Sequence, residues 1–406
     1  MGQVFIANGT TTVTEVGRQA TEGNTTINVT GGAGNFTIYR AQGVVATVTS
    51  GSAAVTGSVV TLSAGANTIT VDGNGTCTLN LTIGTAANWN SVESWSAASG
   101  GTGGASVPTS SDNVYFDANS FTGASQVVTV DAGANCLDMD WTGATNTPIL
   151  SNLNGIYIFG SLTLGAMSIT ASVGVVFSST STGRTVTTNG VDIGIFYFNG
   201  VGGGWTLQDA FTSGAYGALQ AGTLNTNGQT VTTASTFDAG NGAGVKVLTL
   251  GSSIVNCAFL EYPGSNLTLT ANTATINCSG NFAGGGITTY NIVNLTGATS
   301  TISGSNTFAE LNLASGTTQT ITFTDGTTQT VTDADLGGSA GHVHTLVGTA
   351  AAGWAISKAS GRLLGAYLDL SYSTATGGAA FYARNNSVNT VGNTGWMFRE
   401  PVGVYK

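Results

Sequence analysis

Between Thr223 and Val331 the chain repeats one pattern: a short alternating apolar run, a turn of Gly, Ser, Asn and Thr, and another run. Leu248-Thr249-Leu250, Leu267-Thr268-Leu269, Val293-Asn294-Leu295 and Leu311-Asn312-Leu313 are successive instances. Their steps are uneven but cluster near about 20 residues, the length scale of a solenoid coil. Alternation gives each run an apolar side and a polar side. The pattern therefore predicts one long β-solenoid over most of the chain.

Composition agrees. Only 7% of the residues are charged and 41% are hydrophobic. Thr, Val and Ile abound, which separates this chain from the charged, β-poor composition of disordered segments. Its 406 residues suffice for more than one domain. Nine basic residues face nineteen acidic ones, and no Lys or Arg lies between Arg40 and Arg184. Nucleic-acid binding draws its affinity from cations that displace counterions from phosphates. That footprint is missing, so no nucleic-acid partner is expected. Anionic membrane surfaces are disfavoured on the same ground, and no apolar run reaches the roughly 18 residues of a membrane span. Met1-Gly2-Gln3-Val4-Phe5-Ile6 has neither the basic n-region nor the apolar core of a signal peptide. The expectation is a protein made in a cytoplasm, yet its Thr/Ser/Gly/Asn surface suits the outside.

The four cysteines, Cys77, Cys136, Cys257 and Cys278, form no CxxC pair. Cys257 and Cys278 lie about one coil apart, where strands stack roughly 4.8 Å apart. That spacing admits a disulfide; the favoured reading is two small buried side chains in a ladder.

Taken in order, residues 1–20 read as an N-terminal arm. Residues 21–85 carry six strand candidates between short turns, the pattern of a small immunoglobulin-like β-sandwich without its disulfide and core tryptophan. Residues 86–120, with Trp89, Trp95 and Val107-Pro108, read as linker and N-terminal cap of the solenoid. Large aromatics there and at Trp141 would cover an open coil end. Residues 121–340 form the solenoid proper, and residues 341–406 its last coils, a C-terminal cap and a tail. About a dozen coils would make a rod of about 60 Å. The run Ile193–Phe198 is almost continuously apolar, as in a strand buried on both faces or covered by a partner. Gly316-Thr317-Thr318-Gln319-Thr320 recurs as Gly326-Thr327-Thr328-Gln329-Thr330, an offset of half a coil or one hairpin.

Trp89…Trp95-Ser96…Val107-Pro108…Asp112-Asn113-Val114…Asp117, the repeated coils, and Ser373-Thr374-Ala375-Thr376-Gly377-Gly378…Gly392-Asn393-Thr394-Gly395-Trp396 together resemble a broad group of repetitive right-handed parallel β-helix proteins. Many belong to tailed bacteriophages and others to bacterial cell surfaces. The likeness spans residues 88–398. It implies an all-β chain, a virion-surface location and a fibre, spike or capsid-decoration role. A phage protein is made in the host without a signal and works outside, which reconciles the surface with the N-terminus. Other capsid or tail proteins are the implied partners, and a homo-oligomer, with a trimer as the symmetric guess, would cover the solenoid's edges.

Candidate sites follow from side-chain chemistry. Asp333, Asp335, His342 and His344 alternate on short strands and are the residue types that bind a metal; the alternative is a polar strand end. Asp131, Asp138 and Asp140 sit in the segment without cations, where hard oxygen ligands would suit Ca²⁺; the alternative is solubilising carboxylates. Glycoside cleavage needs two carboxylates about 5–10 Å apart. Asp192, Asp209, Asp238 and Glu261, with Lys246 nearby, would meet by stacking in a tailspike depolymerase. Tyr157, Tyr197, Trp205, Tyr216 and Tyr262 would stack on host-surface glycans if exposed; otherwise they pack the coils. No nucleophile elbow or phosphate loop is present. The expectation is a non-catalytic virion structural protein, with a bacterial surface adhesin and a depolymerase as alternatives.

Overall fold

The computed structural model describes residues 87–398 with their side chains, apart from 122, 171–172, 263–265 and 286–288, and the strands between Gln3 and Gly84 as backbone alone. The chain divides into two compact units. One comprises Met1–Val107, Asp117–Asp131 and Ala144–Ser151; the other comprises Pro108–Phe116, Ala132–Gly143 and Asn152–Lys406.

In the first unit, backbone pairing gives a four-stranded sheet in the order Gln3–Ala7, Thr25–Thr30, Ala66–Asp72, Val45–Ser50. A five-stranded sheet runs Thr12–Val16, Cys77–Gly84, Ala33–Tyr39, Val59–Leu62, Ala53–Thr56. Of the arm expected at 1–20, Gln3–Ala7 and Thr12–Val16 are thus strands of these sheets; the rest of it, and the face-to-face packing that would make an immunoglobulin-like sandwich of 21–85, lie outside the described residues. Further along, Ala87–Asn88 pairs parallel with Val127–Val130. Trp89 is fully buried beside Trp95, their rings 4.8 Å apart and edge-on, and the Trp95 indole N–H donates to the Trp89 carbonyl at 2.6 Å.

The second unit is the solenoid. All-β parallel stacking runs from Val114 to Val391 in about 13 turns. The cause is visible in the register. Ile156, Val175, Phe196, Gly217, Phe237 and Leu260 are successive partners on adjacent coils, and all but the glycine are buried apolar side chains. Each contributes roughly 1.5–3 kcal/mol by leaving water. Gly217 is required in that column because a Cβ there would stand 2.0 Å from the Phe196 ring. Phe177 and Phe198, one column over, stack at 4.5 Å. Coil length in the main sheet varies from 17 residues between Asn277 and Asn294 to 27 between Gln329 and Ile356. That range explains the uneven steps in the sequence: the strands keep register while the turns absorb insertions.

Two of those turns share a device. Asn189 and Asn227 adopt positive φ and are each followed by a positive-φ glycine, Gly190 and Gly228, the pairing that a tight turn favours. Their side-chain amides reach back to the previous coil, Asn189 donating to the Leu164 carbonyl at 2.6 Å and Asn227 to the Leu207 carbonyl at 3.0 Å.

Three sequence expectations resolve here. The two copies of the Gly-Thr-Thr-Gln-Thr repeat fall on different parallel columns, Thr320 beside Thr299 and Thr330 beside Thr307, so the offset is half a coil. The run Ile193–Phe198 is not buried on both faces: Phe196 and Phe198 point in, whereas Ile195 and Tyr197 remain half-exposed. Cys257 and Cys278 are direct register partners, both buried and both free thiols. Their mutual hydrogen bond and burial push the Cys257 thiol far above its ordinary range.

Candidate functional site

In a parallel stack, residues flanked by two inward neighbours all point outward, so one coil position becomes a surface column. The position between the buried pairs Ala134/Cys136, Ile156/Ile158, Val175/Phe177 and Phe196/Phe198 is filled by Asn135, Tyr157, Val176 and Tyr197. Tyr157 is 40% exposed. Tyr197 packs its ring against Gly174 on the preceding coil, where a Cβ would come within 2.4 Å of the ring. Beside it stands Tyr216, ring centroids 5.9 Å apart and planes at 50°.

Tyr216 is held by its hydroxyl, which donates to Oδ2 of Asp238. Burial, followed by this bond to a carboxylate, pushes the phenol well above its ordinary range. Asp238 is fully buried and accepts three further hydrogen bonds: from Gly240 N–H at 2.7 Å, Asn241 N–H at 3.1 Å and the Asn241 amide at 2.6 Å. Lys246 closes the same turn. Its buried ammonium donates to the carbonyls of Asn241 at 3.0 Å and Gly242 at 2.9 Å, and burial lowers its pKa.

A cleft of about 340 Å³ is lined by Gly165–Ile169 and Asn189–Asp192. Asp192 stands at its end. Its Oδ1 accepts from Gly194 N–H at 2.8 Å and from Gly214 N–H at 2.7 Å. Gly194 and Gly214 precede Tyr197 and Tyr216 on successive coils, so Asp192 ties together the two turns that lead into these tyrosines.

The structure divides the residues singled out in the sequence. Tyr157, Tyr197 and Tyr216 reach the surface. Trp205 and Tyr262 do not: they are 1% and 0% exposed, and their expected glycan contact is corrected to core packing. The signal was in the alternation, since each lies two residues from an inward leucine, Leu207 and Leu260. Asn135 and Val176, overlooked in the sequence, join the surface column because they occupy the outward phase.

The acids are spread over turns as clasps between coils. Asp209 accepts from Thr188 N–H at 2.9 Å and from Asn189 N–H. Asp138 accepts from Ser161 N–H at 2.7 Å, and Asp325 from Ala350 N–H at 2.9 Å. Of the depolymerase candidates, Asp238 and Glu261 are register neighbours, while Asp192 and Asp209 serve separate turns. Among the Ca²⁺ candidates, Asp140 accepts from Thr142 N–H at 2.8 Å, and Asp131 accepts from Asn90 N–H at 3.1 Å.

The metal candidates do not converge. Asp333 is exposed and faces the Lys358 ammonium at 3.4 Å. Asp335 caps Gly337 N–H at 3.2 Å. His344 is buried and its Nδ1 accepts Gln319 N–H at 3.2 Å, whereas His342 is half-exposed beside the Thr318 hydroxyl at 3.5 Å. Among the described residues, no three His, Cys, Asp or Glu side chains gather in a way that would hold a metal ion.

Comparison with family models, with curated proteins and with solved structures finds no match, so the reading of this surface rests on its own geometry.

Proposed function

We propose that the chain is a non-catalytic structural protein displayed on the surface of a bacteriophage virion, as a capsid decoration, head fibre, tail fibre or spike, and that it contacts host-surface glycans. The observation that carries this reading is the outward tyrosine column on a scaffold whose aspartates are bound to backbone N–H groups. A carboxylate whose oxygens accept several backbone N–H bonds is fixed in place as a clasp between turns. In this reading the first unit, with its immunoglobulin-like segment, attaches the protein to other capsid or tail proteins. The solenoid winds right-handed, as parallel β crossovers do, and residues 341–406 close its end. The protein assembles as a homo-oligomer, with a trimer as the simplest closed arrangement for covering lateral faces.

The test is protein mass spectrometry on purified virions and host envelopes from one infected culture, paired with a reducing-end assay on host polysaccharide. Stoichiometric recovery in virions without new reducing ends supports the proposal. Recovery only in the cell envelope would favour the adhesin reading. Release of reducing ends that Asp238→Asn or Glu261→Gln abolishes would favour the depolymerase.

A further inference from the structure

We infer that the column Asn135–Tyr157–Val176–Tyr197, with Tyr216 as its side wall, binds an uncharged polysaccharide laid along the solenoid axis. The inference rests on the glycan-contact reading above and specifies its ligand.

Spacing comes first. Tyr157 and Tyr197 are two rungs apart in unbroken register, which is roughly 10 Å at about 4.8 Å per rung. That is about the length of two pyranose units, so a chain running along the axis meets a ring at every second sugar. An aromatic ring offers its electron-rich face to the C–H side of a pyranose and leaves the hydroxyls free.

Preorganisation is the second observation. The Tyr197 ring sits against Gly174. Tyr216 is tied to Asp238, itself held by Gly240 and Asn241. Side chains already fixed in place lose little entropy on binding. The 50° angle between the two rings leaves a wedge that suits one sugar better than a flat face does.

Charge selects the class of sugar. An acidic polysaccharide needs cations, and bidentate or charge-assisted bonds do most of that recognition. The column contains none. The nearest lysine, Lys246, is buried with its ammonium turned to the carbonyls of Asn241 and Gly242. Arg184 directs its Nε to the Ser179 hydroxyl at 3.3 Å. What the surface does offer is the Asn135 amide at one end and, three rungs past Tyr197 in the same register, the Glu261 carboxylate, which accepts from sugar hydroxyls and repels carboxylated or sulfated rings.

The full chain is to be titrated calorimetrically with uncharged glucan, galactan and N-acetylglucosamine oligosaccharides of increasing length, and with polygalacturonate and heparin as acidic probes. The expected result is binding by an uncharged series that strengthens up to about four sugars, the span of the column at one sugar per rung, and then levels off. Tyr197→Ala and Tyr157→Ala should each weaken it by about tenfold, the loss of one aromatic anchor. Tyr197→Phe should retain it, and Tyr216→Phe should weaken it by releasing the ring from Asp238. Circular dichroism and melting of each variant separate lost contacts from lost fold. Equal or tighter binding of the acidic probes would overturn the inference while leaving a glycan-binding protein. Uncharged binding untouched by Tyr157→Ala and Tyr197→Ala would overturn the column as its site. Absence of binding to any probe would overturn the glycan contact itself.

Discussion

Asn256, Asn277, Asn294 and Asn312 occupy one outward position on four successive coils. Each passes a side-chain amide bond to the coil before it: Asn277 to Asn256 at 2.8 Å, Asn294 to Asn277 at 2.8 Å and Asn312 to Asn294 at 3.0 Å. Asn256 ends the series on the Thr232 hydroxyl at 3.3 Å. An amide can do this because it donates and accepts at once. Asn277→Ala should therefore cost about 1–3 kcal/mol, the price of two unpaired partners, and Asn277→Asp should cost more, since a carboxylate has no donor for Asn256. Hydrogen exchange of the strands Ile254–Glu261 and Thr289–Leu295 reads out the loss. The opposite is expected at Tyr262, whose buried hydroxyl finds no hydrogen-bond partner among the described residues. Tyr262→Phe should leave the melting temperature unchanged or raise it, because it removes an unsatisfied polar group at constant shape. The sequence made the ladder's Val-Asn-Leu and Leu-Asn-Leu triplets legible as strands. It did not separate Trp205 and Tyr262 from Tyr197 and Tyr216, because side is set by the phase of alternation in each strand, and that phase must be read from neighbours two residues away.

At the level of the coil, stability depends on clasps that join one turn to the next. Asp192, Asp209 and Asp325 accept backbone N–H groups from neighbouring coils, and His344 does the same for Gln319. An imidazole whose Nδ1 accepts a hydrogen bond must carry its proton on Nε2, and burial lowers the pKa of His344. The sign follows directly. With the folded value below the unfolded value near ~6.5, the unfolded chain takes up more protons between the two, so stability is full above that pH and falls as pH drops through the folded value. The Gly337 backbone and then Asp335 partly offset this, and His342 adds to it. Urea unfolding followed from pH about 7.5 to 5 should move to lower midpoint, and His344→Gln should flatten that dependence. Strands and turns were readable from period and Gly/Asn placement. Partnership between coils was readable only where spacing marked it, as for Cys257 and Cys278 one coil apart; register is otherwise a long-range property, and nothing local pairs Asp325 with Ala350.

On the scale of the molecule, 406 residues with 7% charge fit a fold in which like residues stack at about 4.8 Å, where columns of one charge would repel. Thr and Asn fill the outward columns instead, as in Thr185, Thr206, Asn225, Thr249 and Thr270 on one face. That economy made the solenoid legible from composition and repeat, while the site stayed hidden in the register that aligns Tyr157 with Tyr197. In the proposed reading this solenoid is displayed on a virion with its tyrosine column accessible. Electron cryomicroscopy of the native particle carrying the chain tests it most directly. The expected density is a stack of rungs spaced about 4.8 Å attached to capsid or tail, with Tyr157 and Tyr197 facing solvent. Particles without that density, or a capsid or tail protein covering the tyrosine column, would contradict it.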